Sequence, residues 1–95
     1  MDLNIVVVAG RLMRHPQMEY DSNRRITHVR LNVSTTGAPK GQLYIVPVDW
    51  SATDDELASL HLLRDDRVWV AGYMTGSKVI AINVQKAEVT VNGDE

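Results

Sequence analysis

The chain has 95 residues, which is enough for one domain and too few for two domains with separate hydrophobic cores, so we expect residues 1–95 to form a single domain. Hydrophobic residues make up 44% of the sequence and charged residues 23%, which excludes a disordered chain, a collagen-like repeat and a coiled coil. Bases outnumber acids in residues 1–47, but the net charge of −2 is far from the strongly basic balance that alone would indicate a nucleic-acid partner.

The sequence shows no sign of a metal site, a cofactor or a membrane span. It contains no cysteine, and His15, His28 and His61 are too widely spaced for a zinc-binding pattern. The longest strongly apolar run, Ile5 to Ala9, is far shorter than the roughly 20 residues that span a bilayer, and no charged leader with a cleavage site precedes it. We therefore expect a cytoplasmic protein without metal or cofactor. No histidine is placed beside a serine, cysteine or carboxylate in a catalytic pattern, so an enzyme is not expected.

Three β-strands are predicted in the first half of the chain. The β-branched run from Leu3 to Leu12 is too short for a typical amphipathic helix and ends at a proline-containing break. From His28 to Ser34 apolar and polar residues alternate strictly, which is typical of a half-buried strand. A loop at residues 37–41 precedes the third strand, from Leu43 to Trp50. Pro47 cannot donate to a ladder hydrogen bond, so this strand lies at an edge or carries a bulge.

One helix and two more strands are predicted in the second half. Residues 53–56, Thr-Asp-Asp-Glu, match the capping box of a helix, and the leucines that follow have helical spacing over about three turns. The segment from Arg67 to Met74 alternates again, and a turn at 75–78 leads into a fifth strand from Val79 to Val84, with a further apolar run at 89–91. Five strands with one short helix between the third and fourth predict an all-β fold, the five-stranded Greek-key barrel called the OB-fold.

Four segments carry patterns that recur together in one protein family. Residues 6–20 combine an opening strand with an Arg-His-Pro-Gln-x-Glu-Tyr segment, and residues 29–33 form an alternating second strand. Residues 44–50 begin and end with an aromatic ring, and residues 66–74 read Asp-Arg-Val-Trp-Val-Ala-Gly-Tyr-Met. In this order they resemble the bacterial single-stranded-DNA-binding proteins over nearly the whole chain.

The resemblance implies a non-enzymatic protein that coats or protects exposed single strands in replication, repair or recombination, at the nucleoid and with little sequence preference. Such binding requires rings that stack on bases and cations that contact phosphates, all on one face. Two same-face pairs of rings, on the third and fourth strands, are the stacking candidates: Tyr44 with Trp50, and Trp69 with Tyr73. Each ring could instead pack in the barrel or at a subunit interface. The candidate phosphate contacts are Arg11, Arg14, Arg30, Lys40 and Lys78.

The first strand predicts self-association. Its apolar run, residues 5–9, needs cover on both faces, whereas a monomeric barrel covers one. The family resemblance implies a homotetramer, or at least a dimer, through this strand.

The sequence also departs from the family. Gly37 and Val79 occupy positions where many members have further aromatic residues, and the loop between the fourth and fifth strands is reduced to residues 75–78. Together with the negative net charge, these departures favour an alternative function, that of an OB-fold protein-interaction module in a replication assembly, similar to the primosomal replication protein. Its partners would be replication or repair proteins, and its DNA binding would be weak or absent.

Overall fold

The computed structural model describes residues 4–37 and 41–87, and these residues form a β-barrel with one short helix. The elements, in chain order, are β1 Val6–Leu12, β2 Gln17–Tyr20, β3 Ile26–Gly37, β4 Gln42–Trp50, α1 Asp54–Leu60, β5 Arg67–Thr75 and β6 Lys78–Lys86. The strand order is β1-β5-β6-β4-β3-β2, and β1 also pairs with β3, which closes five of the strands into a barrel. The predicted all-β OB-fold is therefore confirmed.

The core consists of the inward-facing residues of the barrel strands and two residues that flank the helix. On β3 these residues are Val29, Leu31 and Val33, all fully or almost fully buried, as the strict alternation of this strand predicts. The whole set of buried apolar residues is Leu12, Val29, Leu31, Val33, Val48, Trp50, Ala52, Leu62, Val68, Val70, Val79 and Val84. Because inward and outward residues alternate, every second residue of these strands is available to the outer surface.

The sequence pattern does not reveal β2. All four of its residues are exposed, so no apolar alternation marks them as a strand. The segment becomes a strand because it pairs with residues 26–30 of β3, along the same edge that β1 uses at Val33 and Ser34. The break between β1 and β2 thus divides one long partner of β3 into two short strands.

Pro47 lies on an edge and not at a bulge. The pairing of β3 with β4 runs without a register shift from Val29↔Trp50 to Gly37↔Gln42. On its other side β4 pairs with β6 only at residues 48–50, so the missing N–H of Pro47 faces no partner strand. The register is therefore continuous through Pro47, and Tyr44 remains on the same face of β4 as Trp50.

The helix begins as predicted and ends one turn early. The Glu56 N–H donates to Thr53 Oγ1 over 3.1 Å, and the Thr53 N–H donates to Glu56 Oε1 over 2.9 Å, which completes the capping box. His61 adopts a left-handed conformation with φ of 55°, which ends the helix and lets Leu62 enter the core. No helix in the part of the chain that the structure describes is long and apolar enough to cross a membrane.

Glycine is required at position 10, where β1 passes from its pairing with β5 to its pairing with β3. From Val6 to Arg11 β1 pairs with β5, and at Arg11 and Leu12 it also pairs with β3. A Cβ atom at Gly10 would overlap the backbone carbonyl of Ser34, a group that cannot move without opening the barrel. The absence of a side chain at position 10 thus allows the barrel to close.

We expect Gly10→Ala to lower the free energy of unfolding by roughly 3 kcal/mol, because the new methyl group forces β1 and β3 apart. Urea denaturation measures this change. Gly76→Ala is the control: Gly76 has φ of +62°, but no atom lies within 4 Å of the position that a Cβ would take, so only the left-handed backbone should cost about 1 kcal/mol. Equal losses in the two variants would contradict a steric role for Gly10.

Candidate nucleic-acid interface

Three of the predicted cations, from three separate segments, meet on the outer face of β3 and β4. Arg14 lies in the turn before β2, Arg30 on β3, and Lys78 at the start of β6. They border a concavity of about 450 Å³, hereafter the cationic groove, which is lined by Arg14, Gln17, Arg30, Leu31, Asn32, Pro47, Val48, Asp49 and Lys78. Residues up to 64 positions apart in the sequence thus form one surface.

Strand register explains how these side chains come together. Outward residues of β3 lie beside outward residues of β4, with Arg30 opposite Asp49 and Asn32 opposite Pro47. The parallel pairing of β4 with β6 begins at Val48 and Val79, which places Lys78 at the end of the groove next to Asp49. The groove is therefore built on paired strands and not on loops alone.

Carboxylates partly neutralise the groove. Lys78 Nζ lies 3.3 Å from Asp49 Oδ2, and Arg30 Nη2 lies 3.0 Å from Glu19 Oε2. His28 Nδ1 lies 3.5 Å from Asp49 Oδ1, a buried oxygen without a hydrogen-bond partner among the described residues. Ion pairs as exposed as those of Lys78 and Arg30 contribute only about 0–1 kcal/mol each, so an incoming phosphate can replace the carboxylates.

The balance of charge in the groove is slightly positive. Arg14 forms no ion pair with any carboxylate in residues 4–37 and 41–87, whereas Arg30 and Lys78 each have one. The same described residues contain no group of three or more His, Asp or Glu side chains that could hold a metal ion. The groove can therefore attract an anion through arginine and lysine side chains.

Trp50 does not face the groove, so the structure does not present this ring for the predicted stacking on a base. Its side chain is only 5% exposed and belongs to the core, on the inward face of β4 with Val48. At this end of β4 the barrel is closed by β3 on one side and by β6 on the other. Tyr44 shares the face of Trp50 but lies six residues earlier, where β6 no longer pairs with β4, and it is 49% exposed. Its hydroxyl donates to Gln42 Oε1 over 2.9 Å.

Trp69 and Tyr73 lie on a different surface from the groove. They project from the outer face of β5 and are 36% and 41% exposed. Their neighbours on that surface are exposed apolar residues of β1, and we use the term apolar face for the set Ile5, Val7, Trp69 and Tyr73. The four predicted rings therefore do not share one trough with the cations: one is buried, one lies on the β3–β4 hairpin, and two lie on the apolar face.

The other two predicted cations lie apart from the groove or outside the described residues. Arg11 is exposed on β1 directly opposite Arg67 of β5, a residue that the sequence pattern does not single out. Only the register of the two strands shows that these arginines are neighbours, so the sequence alone carried no signal for Arg67. Lys40 lies outside the described residues.

The two tryptophans should respond differently to substitution. We expect Trp50→Ala to lower the free energy of unfolding by about 3–5 kcal/mol, because it empties part of the core. Trp69→Ala should lower it by only about 1 kcal/mol, since that ring is partly exposed. Chemical denaturation of the two variants gives both values.

Fluorescence quenching is a second measurement on the tryptophans, and it uses substitutions by phenylalanine, which keep an aromatic ring at each position. In Trp69→Phe the remaining indole is that of Trp50, whose fluorescence should be shielded from acrylamide, whereas in Trp50→Phe the indole of Trp69 should be quenched readily. Strong acrylamide quenching of Trp50 in the folded Trp69→Phe variant would contradict its place in the core.

Solved structures of two other proteins share this fold. The chain aligns with a deletion mutant of the single-stranded DNA binding protein from Thermus aquaticus with a TM-score of 0.77 and 23% identity, over 98% of this chain and 45% of that chain. It aligns with the dimeric N-terminal domain of the PriB protein from Thermoanaerobacter tencongensis with a TM-score of 0.72 and 12% identity, over 90% of this chain and 98% of that one. No family model matches the sequence, and no curated protein is significantly similar to it.

Proposed function

We propose that this OB-fold protein, which spans less than half the length of the Thermus aquaticus protein that it resembles, binds single-stranded DNA through the cationic groove. The observation that supports the proposal is the convergence of Arg14, Arg30 and Lys78 from separate segments on one strand-built concavity. Single strands are held by cations that follow the phosphates, together with apolar or aromatic groups that contact the bases. The protein would coat or protect exposed strands during replication, repair or recombination, in the cytoplasm at the nucleoid.

Base contacts in this proposal come mainly from β4 and the hairpin. Ile45 and Pro47 are exposed on the same outward face as Asp49 and continue the groove toward the hairpin. Tyr44, on the opposite face of the hairpin, is the ring that a strand wrapping around the hairpin would meet. With Trp50 in the core, fewer rings can stack, so phosphate contacts dominate. Phosphate contacts carry no base information, which gives little sequence preference.

We expect Arg30→Ala to weaken binding to an oligo-dT of about 16 nucleotides, which is the upper end of the site size of one OB-fold. In a plot of log affinity against log salt concentration, the magnitude of the slope should fall by about 0.7 for each phosphate contact that is lost. Fluorescence anisotropy of a labelled oligonucleotide at several salt concentrations measures both changes.

A matched control variant is Arg25→Ala, which removes the same charge at the turn between β2 and β3, outside the groove. Its slope should equal that of the unmodified protein. Equal losses in the Arg30 and Arg25 variants would show a general charge effect and contradict the groove. If the unmodified protein does not bind the oligonucleotide at low salt, the proposed function fails.

We also expect Asp49→Asn to tighten binding by about fivefold at low salt, because it removes a carboxylate that competes with phosphate for Lys78, an interaction of ~1 kcal/mol at most. The same anisotropy titration measures this gain. Asp65→Asn is the matched control: it removes the same charge from an exposed carboxylate outside the groove. Unchanged or weaker binding of the Asp49 variant would show that phosphate does not replace this carboxylate.

The apolar face supports a second proposal, self-association through β1 into a dimer or tetramer. Val7 is 66% exposed, and the exposed apolar residues Ile5 and Tyr73 lie near it on the same outer face of β1 and β5. Contiguous exposed apolar patches of this kind mark interaction sites in soluble proteins. The family-derived expectation of contact through the first strand agrees with this placement, since Val6 and Val8 pack on the core and leave Ile5 and Val7 outside.

The same face and the neutralised groove also support the alternative function, a protein-interaction module with replication or repair proteins as partners. Glu19 and Asp49 each hold one of the groove cations, and Trp50 offers no ring. The oligo-dT titration separates the two functions, because the interaction module should not bind DNA at low salt.

We expect Val7→Lys to produce a single species of 10.6 kDa, because the lysine would place an unpaired charge in the centre of the proposed interface. Size-exclusion chromatography with light scattering measures the mass. Leu63→Lys is the matched control, since Leu63 is also an exposed apolar residue but lies after the helix, beside His15 and Pro16 and outside the apolar face. An unmodified protein that already elutes at 10.6 kDa would contradict self-association.

A further inference from the structure

Two arginines stand directly opposite each other on neighbouring strands. Arg11 of β1 and Arg67 of β5 are register partners, and both side chains are exposed on the outer surface of the barrel. Like charges in directly opposed positions of a sheet destabilise it. Among residues 4–37 and 41–87, no carboxylate forms an ion pair with either guanidinium. The arrangement favours an anion between or above the two side chains.

The surroundings of the two arginines form a concave and polar pocket. The β3–β4 hairpin lies beside β1, and its outward residues Ser34 and Thr36 supply two hydroxyl groups. The pocket has a volume of about 560 Å³ and is hereafter the Arg11–Arg67 pocket. Guanidinium groups match the oxygens of a phosphate in pairs, and hydroxyl groups can donate to the remaining oxygens. The pocket therefore suits a phosphate group.

The pocket continues the cationic groove along the same face. Asn32 borders the groove, and Ser34, the next outward residue of β3, borders the pocket, a step of roughly 7 Å along the strand. On β4, Pro47 borders the groove and Leu43 borders the pocket, with exposed Ile45 between them on the same face. An extended chain bound in the groove can therefore reach the pocket without leaving this side of the hairpin.

Register places the arginines at the end of this path. Arg11 is the partner of Ser34 across β1 and β3, and Ser34 is the partner of Ile45 across β3 and β4. Arg67, Arg11, Ser34 and Ile45 thus form one row across four neighbouring strands. The row lies four residues from Val7 along β1, about 13 Å from it. Trp69 is the next outward residue of β5 after Arg67, so the pocket borders the apolar face.

We infer that the Arg11–Arg67 pocket binds a phosphate group, and that in the DNA complex it receives a phosphodiester of the strand that occupies the cationic groove. The second part of this inference, that the phosphate belongs to the bound DNA strand, rests on the proposed function. The inference assigns a binding role to Arg67 and extends the path of the strand from β3 and β4 onto β1 and β5.

The first test compares Arg67→Gln with Arg25→Gln in the oligo-dT titration. Glutamine keeps much of the length and polarity of arginine, and Arg25 lies at the opposite end of β3 from the hairpin. Arg67→Gln should weaken binding about threefold to tenfold at low salt and reduce the slope by about 0.7, which is one phosphate contact. Arg25→Gln should leave the slope unchanged. If the unmodified protein binds and Arg67→Gln has the slope of the unmodified protein, the inference is overturned.

The second test does not depend on DNA. Inorganic pyrophosphate is added to the protein, and the Nε–Hε signals of the arginines are followed by NMR, with Lys substitutions at positions 11, 25 and 67 to assign them. The signals of Arg11 and Arg67 should shift together with one saturation curve, and that of Arg25 should stay. Absence of a shift at Arg11 and Arg67 would overturn phosphate binding in the pocket.

The combined outcomes separate the two proposals. If pyrophosphate shifts both signals but the oligonucleotide does not bind, the proposed function fails and the pocket is a site for free phosphate, which overturns the strand path. If Arg67→Gln changes the mass in light scattering without changing the slope, the pocket is part of a subunit contact, which also overturns the inference. Loss of affinity, a reduced slope and coupled NMR shifts together support it.

Discussion

The close approach of β1 to β3 at Gly10 and Ser34 is the contact on which the outer surface of this barrel depends. Without a Cβ at position 10, β1 can pair with β5 along most of its length and still reach β3 at its end. That contact closes the barrel and sets the register of Arg11 against Ser34. It also brings the turn after β1, with Arg14, beside the outward residues of β3, so a steric requirement inside the sheet determines which charges meet outside it.

Strand alternation then separates the residues that stabilise the barrel from those that are free to bind. Inward positions of β4 hold Val48 and Trp50, and outward positions hold Pro47 and Asp49. The outer surface is divided further: β3 and β4 carry the cationic groove, while β1 and β5 carry the apolar face. The Arg11–Arg67 pocket lies between them, where the outward residues of β1 and β5 approach the hairpin.

The sequence predicts most of the strands and the start of the helix, because the apolar–polar alternation of β3 and the capping box at Thr53 and Glu56 are local signals. It does not reveal β2, whose four residues are all exposed, nor the early end of the helix at His61, which depends on a left-handed backbone. The alternation of side chains along a strand correctly placed Tyr44 and Trp50 on one face of β4. It could not show that this face is the inner one at Trp50. The neighbour relation of Arg11 and Arg67 requires the register of strands 56 residues apart, information that no local pattern contains.

In the groove, the carboxylates of Glu19 and Asp49 pair with Arg30 and Lys78 as phosphates would in the proposed complex. In the free protein each of them already neutralises one groove cation, so a lone nucleotide must displace a competitor that never diffuses away and gains little in exchange. A polymer displaces both and loses its translational freedom only once, so its contacts reinforce one another. In the proposed complex such a groove would discriminate by chain length, because a mononucleotide displaces one carboxylate at most and a long polyanion displaces both.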